Sequence, residues 1–279
     1  MADGGMGNGG GPAGPIVVLV TGAARGIGRA MTLGLAAAGF RVGAVYRPSG
    51  TTAMGELLDI ARDRDLSDRI VAIEGDVTRW EDCAGAVRTV TERFGGIHGL
   101  VNNAGIGMEN FGRPGMGQFR KFYEHDADAW REAIDINING AFLMAKAAAP
   151  AMVAQRWGRI VNIGTSPVTM TNAYFSPYGP SKAALEAATA TWSKELAQTG
   201  VTVNTLIPGG PVNTRMIPDP EVPDRSTLLQ PEIMVAPIVW LMSPQSDGIT
   251  GRRFVAGLWD VSRDPAAAAQ KAGAQAGWS

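Results

Sequence analysis

One cysteine, Cys83, and two histidines, His98 and His125, are all that this 279-residue chain offers of the side chains most used for soft metals and for nucleophilic attack. One thiol excludes an internal disulfide and a cysteine-built zinc site; two imidazoles argue against a histidine-rich centre or a histidine-based triad, so no metal is expected. An excess of either charge is also missing, since 25 Lys and Arg oppose 26 Asp and Glu for a net charge of −1. Without a basic surplus there is no electrostatic footprint for nucleic acid or an anionic membrane surface, and neither is expected as a partner. Long apolar runs are absent too: residues 16–20 are typical, whereas a bilayer span needs ~20. Residues 1–15 are mostly glycine and lack the basic start and apolar centre of a secretory leader. They read as a flexible tail, and the default location is cytoplasmic.

Glycine, by contrast, is plentiful, with 37 residues. Short β-branched runs at 16–20, 41–46, 70–73, 99–102, 159–163, 201–207 and 254–256 alternate with helical patterns at 26–38, 53–62, 80–94, 127–154, 178–198 and 231–242. In the fifth helix Leu185, Ala188, Trp192 and Leu196 recur at helical spacing and predict one buried stripe. Strands alternating with helices make βαβ units and a parallel sheet. The fold class is therefore α/β: a doubly wound, mainly seven-stranded parallel sheet of Rossmann type in a single domain over residues 16–262. Residues 263–279, rich in Ala, Gln and Gly, form a C-terminal extension, either a frayed helix or an arm on a neighbouring subunit.

Such sheets bind ligands beyond the carboxyl ends of their strands. The first strand runs into Thr21-Gly22-Ala23-Ala24-Arg25-Gly26-Ile27-Gly28 and then directly into a helix. Gly22, Gly26 and Gly28 permit a tight turn and close approach to a diphosphate, and the helix N-terminus supplies N–H groups for an anion. The plain alternative is an ordinary glycine-rich turn, because the spacing is GxxxGxG. After the second strand, where a carboxylate would hold a ribose 2′-hydroxyl, the chain reads Tyr46-Arg47-Pro48. Arg47, helped by Arg25, suits a 2′-phosphate through charge-assisted bonds, so NADP(H) is preferred and NAD(H) less favoured. Asp76 and Val77 follow the third strand, and Asn103, Ala104 and Gly105 the fourth. The aspartate is a candidate acceptor for the adenine amine and the second group a lining for ribose and diphosphate; each alone is also ordinary turn chemistry.

Tyr178-Gly179-Pro180-Ser181-Lys182 opens the fifth helix, with the phenol and ammonium one turn apart on one face. A phenol of pKa about 10 is a poor proton donor or acceptor at neutral pH, and a nearby cation favours its phenolate. Thirteen residues upstream stands Thr165, followed by Ser166; either hydroxyl can bind a substrate carbonyl oxygen. Asn137 falls mid-helix, either tolerated there or marking a kink that holds a water.

The order TGAARGIG, NNAG, NINGAF, YGPSK and then Pro208-Gly209 with Thr214 resembles that of the short-chain dehydrogenases/reductases of the short, single-domain type, over nearly the whole of residues 17–256. The resemblance implies an enzyme that moves a hydride between a nicotinamide and a carbonyl or alcohol. It implies Tyr178 as general acid in reduction, Lys182 as the group that binds the nicotinamide ribose and lowers the tyrosine pKa, and Asn137 as holder of a relay water. It also implies that Thr214 and the 208–212 backbone, with Pro208, Gly209 and Val212, hold the carboxamide, while Ile106 and Asn103 border the ribose. A homotetramer or dimer follows from the same likeness, with helices 127–154 and 178–198 as interfaces. Two features depart from the family pattern: threonine at 165 where serine is usual, which leaves Ser166 as an alternative, and a loop at 208–214 one residue longer than common.

The segment 106–126 is long for its place and carries Met108, Phe111, Met116, Phe119, Phe122 and Tyr123 interleaved with Arg113, Arg120 and Lys121. It reads either as a lid for a hydrophobic or cyclic substrate, helped by Met170, Tyr174, Phe175, Met216 and Ile217, or as plain packing. The interleaved basic residues would suit a carboxylate or a thioester carrier, and so ketoacyl reduction. An NADP(H)-binding sensor without turnover and an alcohol dehydrogenase working oxidatively are the alternatives to a carbonyl reductase. His98, His125 and Cys83 are read as structural.

Overall fold

Strands that are apolar on both faces must be covered on both sides, and they are. The computed structural model describes residues 11–111, 120–217, 222 and 224–278. Of the expected tail, residues 1–10 lie outside the described residues.

The chain runs β1 (Val17–Thr21), α1 (Gly26–Ala37), β2 (Arg41–Tyr46), α2 (Thr51–Asp63), β3 (Ile70–Glu74), α3 (Trp80–Phe94) and β4 (Gly99–Asn102). It continues through α4 (Ala127–Ile134), α5 (Gly140–Ala154), β5 (Gly158–Ile163), α6 (Pro167–Thr171), α7 (Tyr178–Glu195) and β6 (Val201–Ile207). It ends with α8 (Val235–Leu241), β7 (Arg252–Val255), α9 (Pro265–Ala272) and β8 (Gly273–Gln275). The strands form one sheet in the order β3-β2-β1-β4-β5-β6-β7-β8. The order reverses between β1 and β4, and that is where a doubly wound sheet opens a crevice.

Alternation along β1 and β2 divides the core. Val18, Val20, Val42 and Ala44 face α1, α2 and α8, while Val17, Leu19 and Val45 face α3, α4 and α5. The α7 face differs from the stripe expected of it. Only Leu185 of that stripe is fully buried; Ser181, Lys182, Glu186, Thr189 and Ser193 are buried beside it, and Trp192 and Leu196 are half-buried against the second cluster. The reason lies across the sheet, whose strands present polar side chains to this helix. Asn102 Nδ2 donates to Asn162 Oδ1 (2.9 Å), Asn162 Nδ2 to Thr189 Oγ1 (2.8 Å), and Thr205 Oγ1 to Thr189 Oγ1 (3.0 Å). The ladder gives its amide and hydroxyl donors partners, while Asn102 Oδ1 is left without one.

Two further departures matter. The helix expected over 127–154 is interrupted by a π-helical turn at Asp135–Asn139. The C-terminal extension is an integral helix and strand: Asp264 caps α9 by accepting from Ala266 N (2.9 Å) and Ala267 N (3.3 Å), and β8 pairs antiparallel with β7, so the sheet has eight strands. The sequence concealed this because Gly-Ala-Gln has little strand propensity. Among the described residues no helix is long and apolar enough to cross a membrane, and no group of three or more metal-ligating side chains converges.

Candidate active site

A cavity of about 1610 Å³ opens at the carboxyl ends of β1, β2, β4, β5 and β6. Its nucleotide end is built by the first turn. Gly22 has φ +63°, and a Cβ there would stand 3.0 Å from Ala104 Cα; a Cβ on Gly28 would fall 2.1 Å from Gly22 O. Only glycine meets both demands. The loop after β4 is tied to this turn: Thr21 Oγ1 accepts from the backbone N–H groups of Asn103 (3.0 Å) and Ala104 (2.9 Å), and Asn103 Nδ2 donates to Thr21 O (2.9 Å) and Gly22 O (3.1 Å). No side chain caps α1, and Gly26, Ile27 and Gly28 line the cavity, so the first N–H groups of the helix remain for an anion.

Three guanidinium groups gather at this end. Arg47, just past β2, is 3.8 Å from Glu132 of α4. Arg25 is held below its ordinary value by burial and by the charges of Arg215 and Arg47, against which Glu109 acts. Val77 and Gly105 line the main cavity, whereas Asp76 lines a smaller adjoining one of about 270 Å³ that Arg47 shares. One carboxylate oxygen of Asp76 is engaged by Thr78 N (2.9 Å) and Thr78 Oγ1 (2.8 Å) in a local turn.

At the other end the two adjacent hydroxyls have separate duties. Thr165 is hydrogen-bonded to the Tyr178 phenol. Ser166 caps α6, its Oγ accepting from Thr169 N (3.1 Å) and lying 2.9 Å from Thr169 Oγ1. Burial pushes the Tyr178 phenol up to about 12; the Thr165 bond acts against that shift and the Glu109 charge adds to it. Lys182, 4% exposed, has its Nζ 6.0 Å from the Tyr178 ring centroid and donates to Ile163 O (2.8 Å); burial brings it down to about 8. Asn137 sits in the π-helical turn. Its Oδ1 accepts from Ile106 N (2.9 Å), and its Nδ2 donates to Ile106 O (3.0 Å) and Ser181 Oγ (2.9 Å). The kink thus braces the wall of the cavity against the helix that carries Tyr178 and Lys182.

The short chain dehydrogenase family profile matches residues 16–221. This chain belongs to that family. It is 35% identical over 193 residues to a 3-oxoacyl-(acyl-carrier-protein) reductase of Synechocystis, covering 69% of this chain and 73% of the relative. It is 31% identical over 245 residues to a protein of the same name from Vibrio cholerae, covering 84% and 93%. A crystal structure of a short-chain type dehydrogenase/reductase from Mycobacterium marinum superposes with a TM-score of 0.73 at 27% identity, covering 86% of this chain and 93% of that one.

As a short-chain dehydrogenase the protein is an oxidoreductase acting between CH–OH and C=O, in a family that uses nicotinamide dinucleotides. The residues fit such a group: two glycines leave backbone bare, a helix N-terminus is uncapped, and the cavity runs unbroken from three arginines to Tyr178. Pro208, Gly209, Val212 and Thr214 line it as well, with Thr214 over the start of α1.

The expected substrate wall is corrected in part. Met108, Phe175, Met216 and Ile217 line the cavity. Phe111 and Met170 are instead buried core residues, and Phe122, Tyr123 and Tyr174 are exposed and not part of the lining. Arg120 and Lys121 are exposed, and Arg113, Met116 and Phe119 lie outside the described residues. Three contributors were not anticipated. Glu109 enters the cavity from a 3-10 turn and Arg215 from an irregular loop, which Arg225 fixes by donating to Asn213 Oδ1 (2.7 Å), Ile217 O (2.9 Å) and Thr214 O (2.9 Å). No motif marks them, because their roles depend on how the loops close.

His98 Nδ1 accepts from Val17 N (3.0 Å) and its ring meets Trp157 edge-on. His125 stands edge-on to Phe111. The buried Cys83 thiol is pushed up to about 12, chiefly by burial, which leaves it protonated and inert.

Proposed function

We propose that this short-chain dehydrogenase is an NADPH-dependent carbonyl reductase for hydrophobic or cyclic ketones and aldehydes. The observation that carries the reading is one cavity with an arginine cluster at one end and the Thr165–Tyr178–Lys182 group at the other. Arg47 and Arg25 suit a doubly charged 2′-phosphate, with Arg215 adding to their field, and the absence of a carboxylate after β2 removes the usual partner of a 2′-hydroxyl.

The nicotinamide, when bound, supplies or accepts the hydride. Thr165 and Tyr178 hold the substrate carbonyl oxygen, and Tyr178 delivers the proton to it. A phenol raised to about 12 stays protonated throughout the neutral range, which suits an acid in reduction. Lys182 carries positive charge below about pH 8 and favours the phenolate that remains after transfer. Asn137 positions Ile106 and Ser181 around this pair.

The names of the 3-oxoacyl-(acyl-carrier-protein) reductases support a second reading, reduction of a ketoacyl thioester. Oxidative use of the same residues depends on cofactor ratios rather than on the site. The decisive test measures NADPH and NADH consumption over aldehydes, cyclic and aryl ketones and ketoacyl thioesters, with Tyr178→Phe alongside. NADPH-dependent turnover that disappears in the variant is the expected result. Turnover that survives it refutes the mechanism, and cofactor binding without turnover of any substrate points to a sensor.

A further inference from the structure

The carboxylate of Glu109 has no part in the chemistry described above, yet it lines the same cavity as Tyr178. Its Oε1 accepts from the backbone N–H of Gly107 at 3.3 Å. Its Oε2 is buried and has no hydrogen-bond partner. A Cβ on Gly107 would fall 2.6 Å from that oxygen and 2.7 Å from Met216 Cγ, so the Met216 side chain lies beside it. Among the described residues no cation stands within 4.0 Å of it, although its charge is felt at both Arg25 and the Tyr178 phenol.

A buried carboxylate oxygen without a donor is costly, and native proteins rarely keep one without a use. Its neighbour Met216 is a flexible, partly exposed thioether, and both residues line the cavity that holds the phenol. Ile106, Met108, Phe175 and Ile217 add apolar side chains to the lining, and Asn110 and Arg215 add polar ones.

We propose that Glu109 is a specificity-determining residue: its Oε2 accepts a hydrogen bond from a hydroxyl or ammonium borne by the substrate and repels a carboxylate or phosphate at the same place. The inference rests on the carbonyl-reductase reading and narrows its substrate class to ketones whose apolar frame carries one donor. A charge-assisted bond gained by one substrate and a like-charge contact imposed on another separate the two by at least about tenfold in kcat/KM.

The test uses the full chain with NADPH and cyclohexanones bearing a hydroxyl or a carboxylate at C2, C3 or C4, assayed on the wild type, Glu109→Gln and Glu109→Lys. The hydroxyl-to-carboxylate ratio is internal to each protein and so is insensitive to partial misfolding. At one ring position the wild type is expected to favour hydroxyl by at least about tenfold. Glu109→Gln should bring the ratio towards one, and Glu109→Lys should invert it. Equal ratios in the wild type and Glu109→Gln at every position overturn the proposal while leaving the reductase reading intact. No turnover of any ketone by the wild type instead removes the reading on which it stands.

Discussion

Thr165 and Ser166 are neighbours with the same functional group, and what separates them is where the backbone turns. Ser166 caps a short helix while Thr165 reaches the phenol. Thr165→Val is therefore expected to lower kcat/KM by roughly 10–100-fold and Thr165→Ser to retain most of it, whereas Ser166→Ala should cost about 1 kcal/mol of stability through the lost cap. Steady-state kinetics and urea midpoints on the three variants check this. Tyr178→Phe should lose roughly 10²–10⁴-fold, the usual worth of a general acid.

Lys182 makes a separate prediction, in stability. Its folded-state value lies near 8, below the 10.5 of an unfolded lysine. Between those values the unfolded chain holds the extra proton, so the Lys182 contribution to stability rises with pH across that window. Relative to Lys182→Met, the wild-type unfolding free energy from urea titration should climb from about pH 8 to about pH 10.5, by on the order of 1–3 kcal/mol. A flat difference would show that burial does not depress this lysine.

At the scale of elements, the π-helical turn and the C-terminal helix and strand were the least legible. Asn137 was conspicuous as a poor helix former in mid-helix, but only the fold shows that Ile106 and Ser181 need its amide. Asn137→Ala leaves the Ile106 N–H and C=O groups without partners and should cost about 1–3 kcal/mol for each unsatisfied group. The wall beside Tyr178 loosens with it, so KM should rise as well; denaturation and kinetics of one variant test both effects. Deleting residues 273–279 removes β8 and with it the Gly277 N–H bond to the buried Glu186 (3.1 Å), leaving the β7 edge bare. Light scattering on heating should then show earlier aggregation, because unpaired edges recruit other strands.

At the scale of the molecule, the α1 turn and the arginine cluster bear on the nucleotide, and α5 bears on assembly. We propose that Arg47→Ala weakens NADPH binding by roughly 10–100-fold while changing NADH binding little, as fluorescence titration with each nucleotide would show. Helix α5 is apolar almost all round, with Phe142 and Val153 left exposed. A surface helix of that composition has a face to cover, and we propose a homo-oligomer through α5 and α7. A monomeric mass in solution would refute it.

Short β-branched runs alternating with helical apolar patterns determined the parallel α/β architecture, since strands apolar on both faces must be covered on both sides. Glycine spacing and the Tyr178–Lys182 interval likewise located both ends of the cavity, because each depends on neighbours within one turn of chain. Which hydroxyl meets the phenol, which buried helix face is polar, how Arg225 closes its loop and where Glu109 comes to rest were decided only by the tertiary structure. Those outcomes depend on partners at least 8 positions apart, and no local pattern encodes such a contact.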